Sequence, residues 1–416
     1  MRVAVMLWLA ALGLGCEHGL WLAGEAGGGS GVAEDASGVD DGAADVVLPP
    51  PPASPPWCPA VAAAHPCRPA ALRRVAGEGR VAAVAFLDDG VALLLDSAAD
   101  RGSFAHSQVA LVRHRLDGSD ERHEILPEGT EVGAAWTGTE FGVVVPPRSG
   151  GDATYLRVGL DGAVTGLPIG RRLCEELTWT GVDFRCLVTT TADVTWETLS
   201  LAGEASDYHQ YSGGWVRNAA WGPDGPGVLS AGAGDWQFLR LAADGTPASP
   251  ITRVADERWV GDSLLVAHGR DFLALFLRNT EDWGTGLVVA MGIAADGSVP
   301  RRPVVADTIG GRSHVPSWGP VQFAASAAVE DTVVAYRGLE LPAVEEDPTV
   351  ARLTFRAITD DGLLGERAEL SPTTDDNFAR EWVTVARAGT GLVVSRSHSR
   401  TGAPRLVLDV WIGCCE

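Results

Sequence analysis

From about residue 80 to the C-terminus one plan keeps returning: a strand-like run, a tight turn containing glycine, a second strand-like run and an Asp-Gly turn. The clearest first halves are Trp136-Thr-Gly-Thr-Glu-Phe141 and Trp179-Thr-Gly-Val-Asp-Phe184. Both read as hairpins, because glycine accepts the backbone angles that a tight turn demands. Five weaker copies bring the number of first hairpins to seven: Phe86–Leu93 around Asp88-Asp89-Gly90, Trp221–Leu229, Val266–Phe276 around His268-Gly269, Val329–Tyr336, and Val385–Val394 around Gly389. The second halves are marked by turns at Asp117-Gly118, Asp161-Gly162, a degenerate Ala202-Gly203, Asp244-Gly245, Asp296-Gly297 and Asp361-Gly362. Before Asp161 the strand alternates, with Leu156, Val158 and Leu160 on one side and Arg157 and Gly159 on the other, which is the period of a half-buried strand.

Self-similarity at a period of about 40 to 60 residues marks a repeat architecture. Four strands per unit, in this order, predict an all-β fold: a β-propeller of seven blades, with six or eight as the alternatives. The fifth and sixth units are longer, and the stretch Leu341-Pro342-Ala343-Val344-Glu345-Glu346-Asp347-Pro348 has loop composition. The seventh unit is incomplete. After Val385–Val394 only one further strand, Arg405–Trp411, precedes the end of the sequence. An unpaired edge there would be an aggregation hazard, so the segment around Ala71–Ala76 is expected to supply the missing outer strand and close the ring.

The N-terminus reads Met1, Arg2 and then thirteen apolar residues, Val3 to Gly15. That run is too short to span a bilayer, which needs about 20 residues, but it suits the core of a signal peptide. Its end, Leu12-Gly13-Leu14-Gly15-Cys16, resembles a bacterial lipobox, in which a small residue precedes a cysteine that is acylated after cleavage. Gly15 fits the pattern, whereas Gly13 and Leu14 depart from it. The resemblance implies lipidation at Cys16; cleavage near Ala23 and free secretion is the alternative. Residues 17–56 follow as an acidic, Gly/Ala-rich stretch ending in Pro49–Pro52, Pro55 and Pro56. Such composition buries too little apolar surface to offset its ordering entropy, so a tether reaching on the order of 30 Å is expected, with the propeller at 57–416.

Six cysteines remain once Cys16 is set aside: Cys58, Cys67, Cys174, Cys186, Cys414 and Cys415. In an exported chain an even number points to disulfides, and six cysteines allow fifteen pairings. Bridges from Cys58 and Cys67 to the Cys414-Cys415 pair would lock the donated strand to the last blade; a local Cys58–Cys67 bridge is the rival. Pairing Trp179 with Phe184 sets Cys186 opposite residue 177, roughly 10 Å from Cys174 along the strand. A Cys174–Cys186 bridge therefore requires a bend before Glu175.

No catalytic or metal-binding signature emerges. The nine histidines form no His-Glu-x-x-His or His-x-His pattern, and no Gly-x-Ser-x-Gly occurs. The Asp-Gly turns lack the alternating order of a calcium loop and read as turn chemistry. Neither a metal nor a cofactor is expected. A net charge of -22, with no lysine, excludes a phosphate backbone as partner. Fourteen tryptophans stand against four tyrosines. Trp136, Trp179 and Trp221 occupy matching repeat positions and read as packing residues between blades. Trp196, Trp215, Trp236, Trp283 and Trp318 fall out of register, in loops or on second strands, and Trp283 and Trp318 are candidates for stacking on a sugar or peptide.

By its repeat the chain resembles the broad class of bacterial lipoproteins that carry WD40-like, or other seven-bladed, propellers, although the Gly-His and Trp-Asp signatures of true WD40 repeats are missing. The resemblance implies a fold and a habit of binding. The expectation is a monomeric, lipid-anchored protein of the cell envelope that binds a protein or glycan partner without catalysis. The alternative is a secreted propeller hydrolase or lyase, with acidic or histidine residues from several blades converging on the channel.

Overall fold

A computed structural model describes residues 53–59, 66–96, 107–129, 132–147, 152–170, 174–213, 215–231, 235–256, 263–279, 286–300, 302–309, 323–327, 331–340, 350–359, 363–374, 381–399 and 406–416. The chain first forms β1 (Pro69–Glu78) and then blade 1 from β2 (Arg80–Leu87), β3 (Gly90–Asp96), β4 (Ser107–Arg115) and β5 (Asp120–Gly129). Blade 2 comprises β6 (Gly133–Trp136), β7 (Glu140–Val145), β8 (Thr154–Gly159) and β9 (Val164–Pro168). Blade 3 comprises β10 (Glu176–Trp179), β11 (Phe184–Thr189), β12 (Asp193–Leu199) and β13 (Ala205–Ser212). Blade 4 runs through β14 (Trp215–Gly222), β15 (Gly225–Ala231), β16 (Asp235–Arg240) and β17 (Thr252–Asp256). Blade 5 is β18 (Ser263–His268), β19 (Asp271–Asn279), β20 (Gly286–Ile293) and β21 (Val304–Ile309). Blade 6 is β22 (Phe323–Ala327), β23 (Asp331–Glu340), β24 (Val350–Thr359) and β25 (Ala368–Thr374). Blade 7 takes β26 (Glu381–Ala388), β27 (Gly391–Ser399) and β28 (Leu406–Cys415), and its fourth strand is β1.

Every sheet is a four-stranded antiparallel meander, and the seven together make a seven-bladed β-propeller. The predicted registers hold at the best copies of the repeat, where Trp136 faces Phe141 and Trp179 faces Phe184. Residues Val407–Cys415 and Pro69–Glu78 pair across the closing blade, from Pro69 opposite Cys415 to Glu78 opposite Val407. The last strand thus runs four residues beyond the predicted end at Trp411, through both terminal cysteines.

Seven buried apolar clusters fill the seven gaps between neighbouring blades. Phe141, Leu94 and Leu111 join blades 1 and 2, Tyr155 and Phe184 join blades 2 and 3, and Phe238 and Phe272 join blades 4 and 5. Burying one such phenylalanine stabilises the fold by about 2–3 kcal/mol. The fit at these faces is close: a side-chain carbon at Gly142 would stand 2.3 Å from the Phe184 ring. Trp196 and Trp236 belong to these faces as well. They are buried on the third strands of blades 3 and 4, so they are packing residues and not loop tryptophans.

The described Asp-Gly turns lie on one end of the ring, here the lower face, and their chemistry is local. Asp117, Asp161, Asp244 and Asp296 each accept the backbone N–H two residues on, from Ser119, Ala163, Thr246 and Ser298. In the degenerate copy the Ser200 hydroxyl takes that role, accepting from Ala202 and Glu204. The hydroxyls of Ser119, Thr246 and Ser298, and after them their backbone N–H groups, hold the carboxyls of Asp117, Asp244 and Asp296 below the usual range, the expected result of donors that favour the charged form. The turn at Asp361-Gly362 lies outside the described residues.

Candidate functional site

The inner strands β2, β6, β10, β14, β18, β22 and β26 surround the axis. They are short on bulk: Ala83 and Ala85 in β2, Ala134 and Ala135 in β6, Ala219 and Ala220 in β14, and Ala324 and Ala325 in β22. Small side chains at the centre of a crowded ring leave a channel. Its upper part, where the inner strands begin, is a cavity of about 850 Å³ lined from blades 3 to 7.

The ring is not uniform there. Among the described residues, neighbouring inner strands pack closely at six of the seven junctions, and β10 and β14 meet most weakly. At the junction of blades 3 and 4, β14 packs mainly on β11 and β12. In blade 3, Cys174 bonds to Cys186, with Cα atoms 5.4 Å apart, although Cys186 pairs in register with Leu177. The chain therefore bends between Cys174 and Glu176, as the sequence geometry required, and the Glu175 N–H donates to the Leu187 carbonyl. β10 has four residues, as β6 does, and Leu187 and Thr189 of β11 border the cavity beside it.

Three charged side chains line the cavity, all from this junction: Glu175, Glu176 and Arg217. Glu175 is engaged, accepting the Thr189 N–H at 3.2 Å. The Glu176 carboxyl has no hydrogen-bond or ionic partner among the described residues. The residue is exposed to the channel, and desolvation against the cavity wall pushes its carboxyl up to about 7. Arg217 sits at a β-bulge, where the register of β14 against β15 shifts between Val216 and Asn218. Bulges re-aim a side chain, and they concentrate near functional sites. The guanidinium lies 5.8 Å from the ring centre of Trp215, a cation–π distance, and touches no acidic group. Trp215 itself, the first residue of β14, is 68% exposed at the upper rim. Asn218 fixes the next junction, donating to Ser263 O at 3.4 Å and accepting from the Leu265 N–H at 3.0 Å. The rest of the wall includes Trp221, Leu264, Val266, Val383, the threonines Thr178 and Thr384, and small residues.

At the lower face the termini are joined. Cys58 bonds to Cys414 and Cys67 to Cys415, across 356 and 348 positions of sequence. Trp57 stacks near Phe86 of blade 1 and donates its ring N–H to Leu87 O at 2.9 Å. Ser54 accepts the Thr390 N–H of blade 7 at 3.0 Å. Cys67 also donates its N–H to Asp331 Oδ2 at 2.8 Å, and the same buried carboxylate pairs with Arg387. One side chain therefore ties blade 6, blade 7 and the N-terminal segment together. Cys16, Trp283 and Trp318 lie outside the described residues.

Glu176 and Arg217 were not singled out by the sequence reading. The pointers were the carboxylate pair directly after Cys174 and the lone arginine between Trp215 and the alanines of β14; only the closed ring shows that both line one cavity. Carboxylates from several blades do not converge among the described lining residues, since both come from one stretch of blade 3. No group of three or more metal-ligating side chains occurs among the described residues.

These features define the class as a seven-bladed β-propeller with an asymmetric axial channel. No known family model matches the chain. No curated protein matches it either. Among solved structures it is similar to the Cps50 (Swd1) propeller domain of Myceliophteria thermophila, at 12% identity over 82% of this chain and 99% of that one, with a TM-score of 0.44. The WD40 domain of Toxoplasma gondii coronin is 9% identical over 84% of this chain and 88% of that one, with a TM-score of 0.44. A candidate 6-phosphogluconolactonase from Bacteroides uniformis is 12% identical over 76% of this chain and 94% of that one, with a TM-score of 0.47. The architecture rests on the strand pairing described above, and at these scores the likenesses add nothing to it.

Proposed function

We propose that the protein is a lipid-anchored envelope propeller that recognises a protein or glycan partner at the upper mouth of its channel and catalyses nothing. The observation that carries this is the cavity of about 850 Å³ with charges gathered at one junction and apolar or small residues around the rest of its wall. A few placed polar groups in an otherwise apolar concavity suit orientation of a ligand. A hydrolytic reading needs a second carboxylate across a cleft from the first, and Glu175 is held by Thr189 beside Glu176 on the same strand. The anchor would be Cys16, with residues 17–56 as the spacer.

Probing glycan and peptide arrays with the full chain tests the reading. A bound class should be lost when Ser326→Trp fills the channel and weakened by Trp215→Ala, and Trp283→Ala and Trp318→Ala test the two stacking candidates of the sequence. Array binding that survives both Ser326→Trp and Trp215→Ala in folded protein overturns it. For the anchor, Cys16→Ala should move the protein from the membrane fraction to the soluble one, and unchanged partition removes that part.

A further inference from the structure

Two opposite charges line one cavity and neither is used by the protein. Glu176 has no partner among the described residues, and desolvation alone accounts for its raised carboxyl. Arg217 rests on Trp215 and meets no carboxylate. Both are exposed to the channel: the bend fixed by the Cys174–Cys186 bridge lies beside Glu176, and Arg217 sits at a β-bulge.

The charge pattern also selects a ligand. A purely cationic ligand would meet Glu176 but be repelled by Arg217, and a purely anionic one the reverse. A neutral sugar would leave both groups uncompensated. A molecule bearing an ammonium and a carboxylate on one apolar body satisfies both and fits the apolar part of the wall at Leu264, Val266 and Val383. We propose that the sector between blades 3 and 4 binds such an ampholyte, a free-ended peptide or an amino acid, with its ammonium on Glu176 and its carboxylate on Arg217. This rests on the channel being the recognition site. Each residue of an extended peptide adds about 3.3–3.6 Å between the two ends, so a ladder of lengths measures the gap the ligand bridges.

The test is titration calorimetry of the full chain with L-leucine, Leu-Leu and Leu-Leu-Leu, each free-ended, N-acetylated or C-amidated. At least one free-ended member should bind, and each cap should weaken it by about tenfold or more, as expected for loss of a charge-assisted hydrogen bond. Glu176→Gln should abolish the effect of the acetyl cap alone, and Arg217→Met the effect of the amide cap alone, both in variants whose melting is unchanged. No binding by any free-ended ligand, or binding indifferent to both caps, overturns the proposal. If array ligands are then still lost on Ser326→Trp, the recognition reading stands and only the ampholyte is wrong; if they persist, the recognition reading has failed as well.

Discussion

At the seventh blade the polar groups of the closing segment find partners: Asp331 holds Arg387 and the Cys67 N–H, Arg74 meets Asp409 at 2.7 Å, and two disulfides fasten the N-terminal segment to the last strand. At the junction of blades 3 and 4 the inner strands pack most weakly, and Glu176 and Arg217 stand without ionic partners among the described residues. Both places use a disulfide, in different ways. The terminal bridges tie the two ends of the ring together, whereas Cys174–Cys186 fixes a bend at the start of an inner strand beside the cavity. The molecule concentrates its closure where the chain ends meet and leaves its uncompensated charges where a ligand has room.

The sharpest way to break this comparison is at the closure. Cys414 and Cys415 are adjacent, so either bridge alone still joins the ends that lie 356 and 348 positions apart. Chain-entropy reasoning gives about 3 kcal/mol for the ring of roughly ten residues that a single loss opens, and about 5 to 6 kcal/mol more once the long loop opens too. Cys58→Ala or Cys67→Ala alone should therefore cost about 3 kcal/mol at most, and the double variant about 8 kcal/mol, read from denaturation midpoints. Additive losses would mean the two bridges close independent loops, contrary to the topology. Removing residues 57–78, which takes β1 as well, should be at least as severe.

Next in size is Asp331→Ala. It leaves the Arg387 guanidinium, 11% exposed, without its carboxylate, and stranding one partner of a buried pair costs about 3–5 kcal/mol. It should also loosen the Cys67 segment, seen as faster amide exchange there. A loss below about 1 kcal/mol, the range of an exposed pair, would show that the latch is incidental.

The third tests the other use of a disulfide. Cys174 and Cys186 are 12 positions apart, so removing both thiols should cost about 3 kcal/mol or less. The distinctive expectation is at the channel: with the bend released, β10 can extend toward β14, and whatever affinity the channel shows for a free-ended ligand should fall. Stability lost with affinity retained would make the bridge a staple only.

How much of this was legible follows the range of the forces involved. The hairpins at Trp136–Phe141 and Trp179–Phe184 are local, so turn chemistry and alternation set their registers in the sequence itself. The outer strand of blade 7 could be reasoned out because an unpaired edge is costly, and the even cysteine count pointed to the same place. Strand spacing also required a bend before Glu175 if Cys174 and Cys186 were bridged, and the chain bends between Cys174 and Glu176. What could not be read was what another blade places beside that bend. Trp215 looked like a loop residue but begins an inner strand, because the alanines after it pack at the axis and carry the strand with them. Glu176 and Arg217 lie 41 positions apart, and only closure of the ring places both at one cavity.

The smallest effect isolates Glu176 from everything else. Its carboxyl titrates near 4.5 unfolded and is pushed up to about 7 in the ring by desolvation against the cavity wall. The folded state therefore binds the proton more tightly, so this group's contribution is most favourable below about pH 4.5 and is lost as pH rises through 7. Glu175 and Arg217 line the same cavity, but neither is bonded to it. Glu176→Gln removes the titration, so wild type and variant should differ least near pH 4 and the variant should be the more stable at pH 8. Because channel water reaches the carboxylate, the gain should stay at or below about 1 kcal/mol. Denaturation midpoints at pH 4, 6 and 8 decide it: an equal gap at all three would mean that Glu176 ionises in the channel as freely as in the unfolded chain, and the sector between blades 3 and 4 would then lose its claim to hold an uncompensated charge.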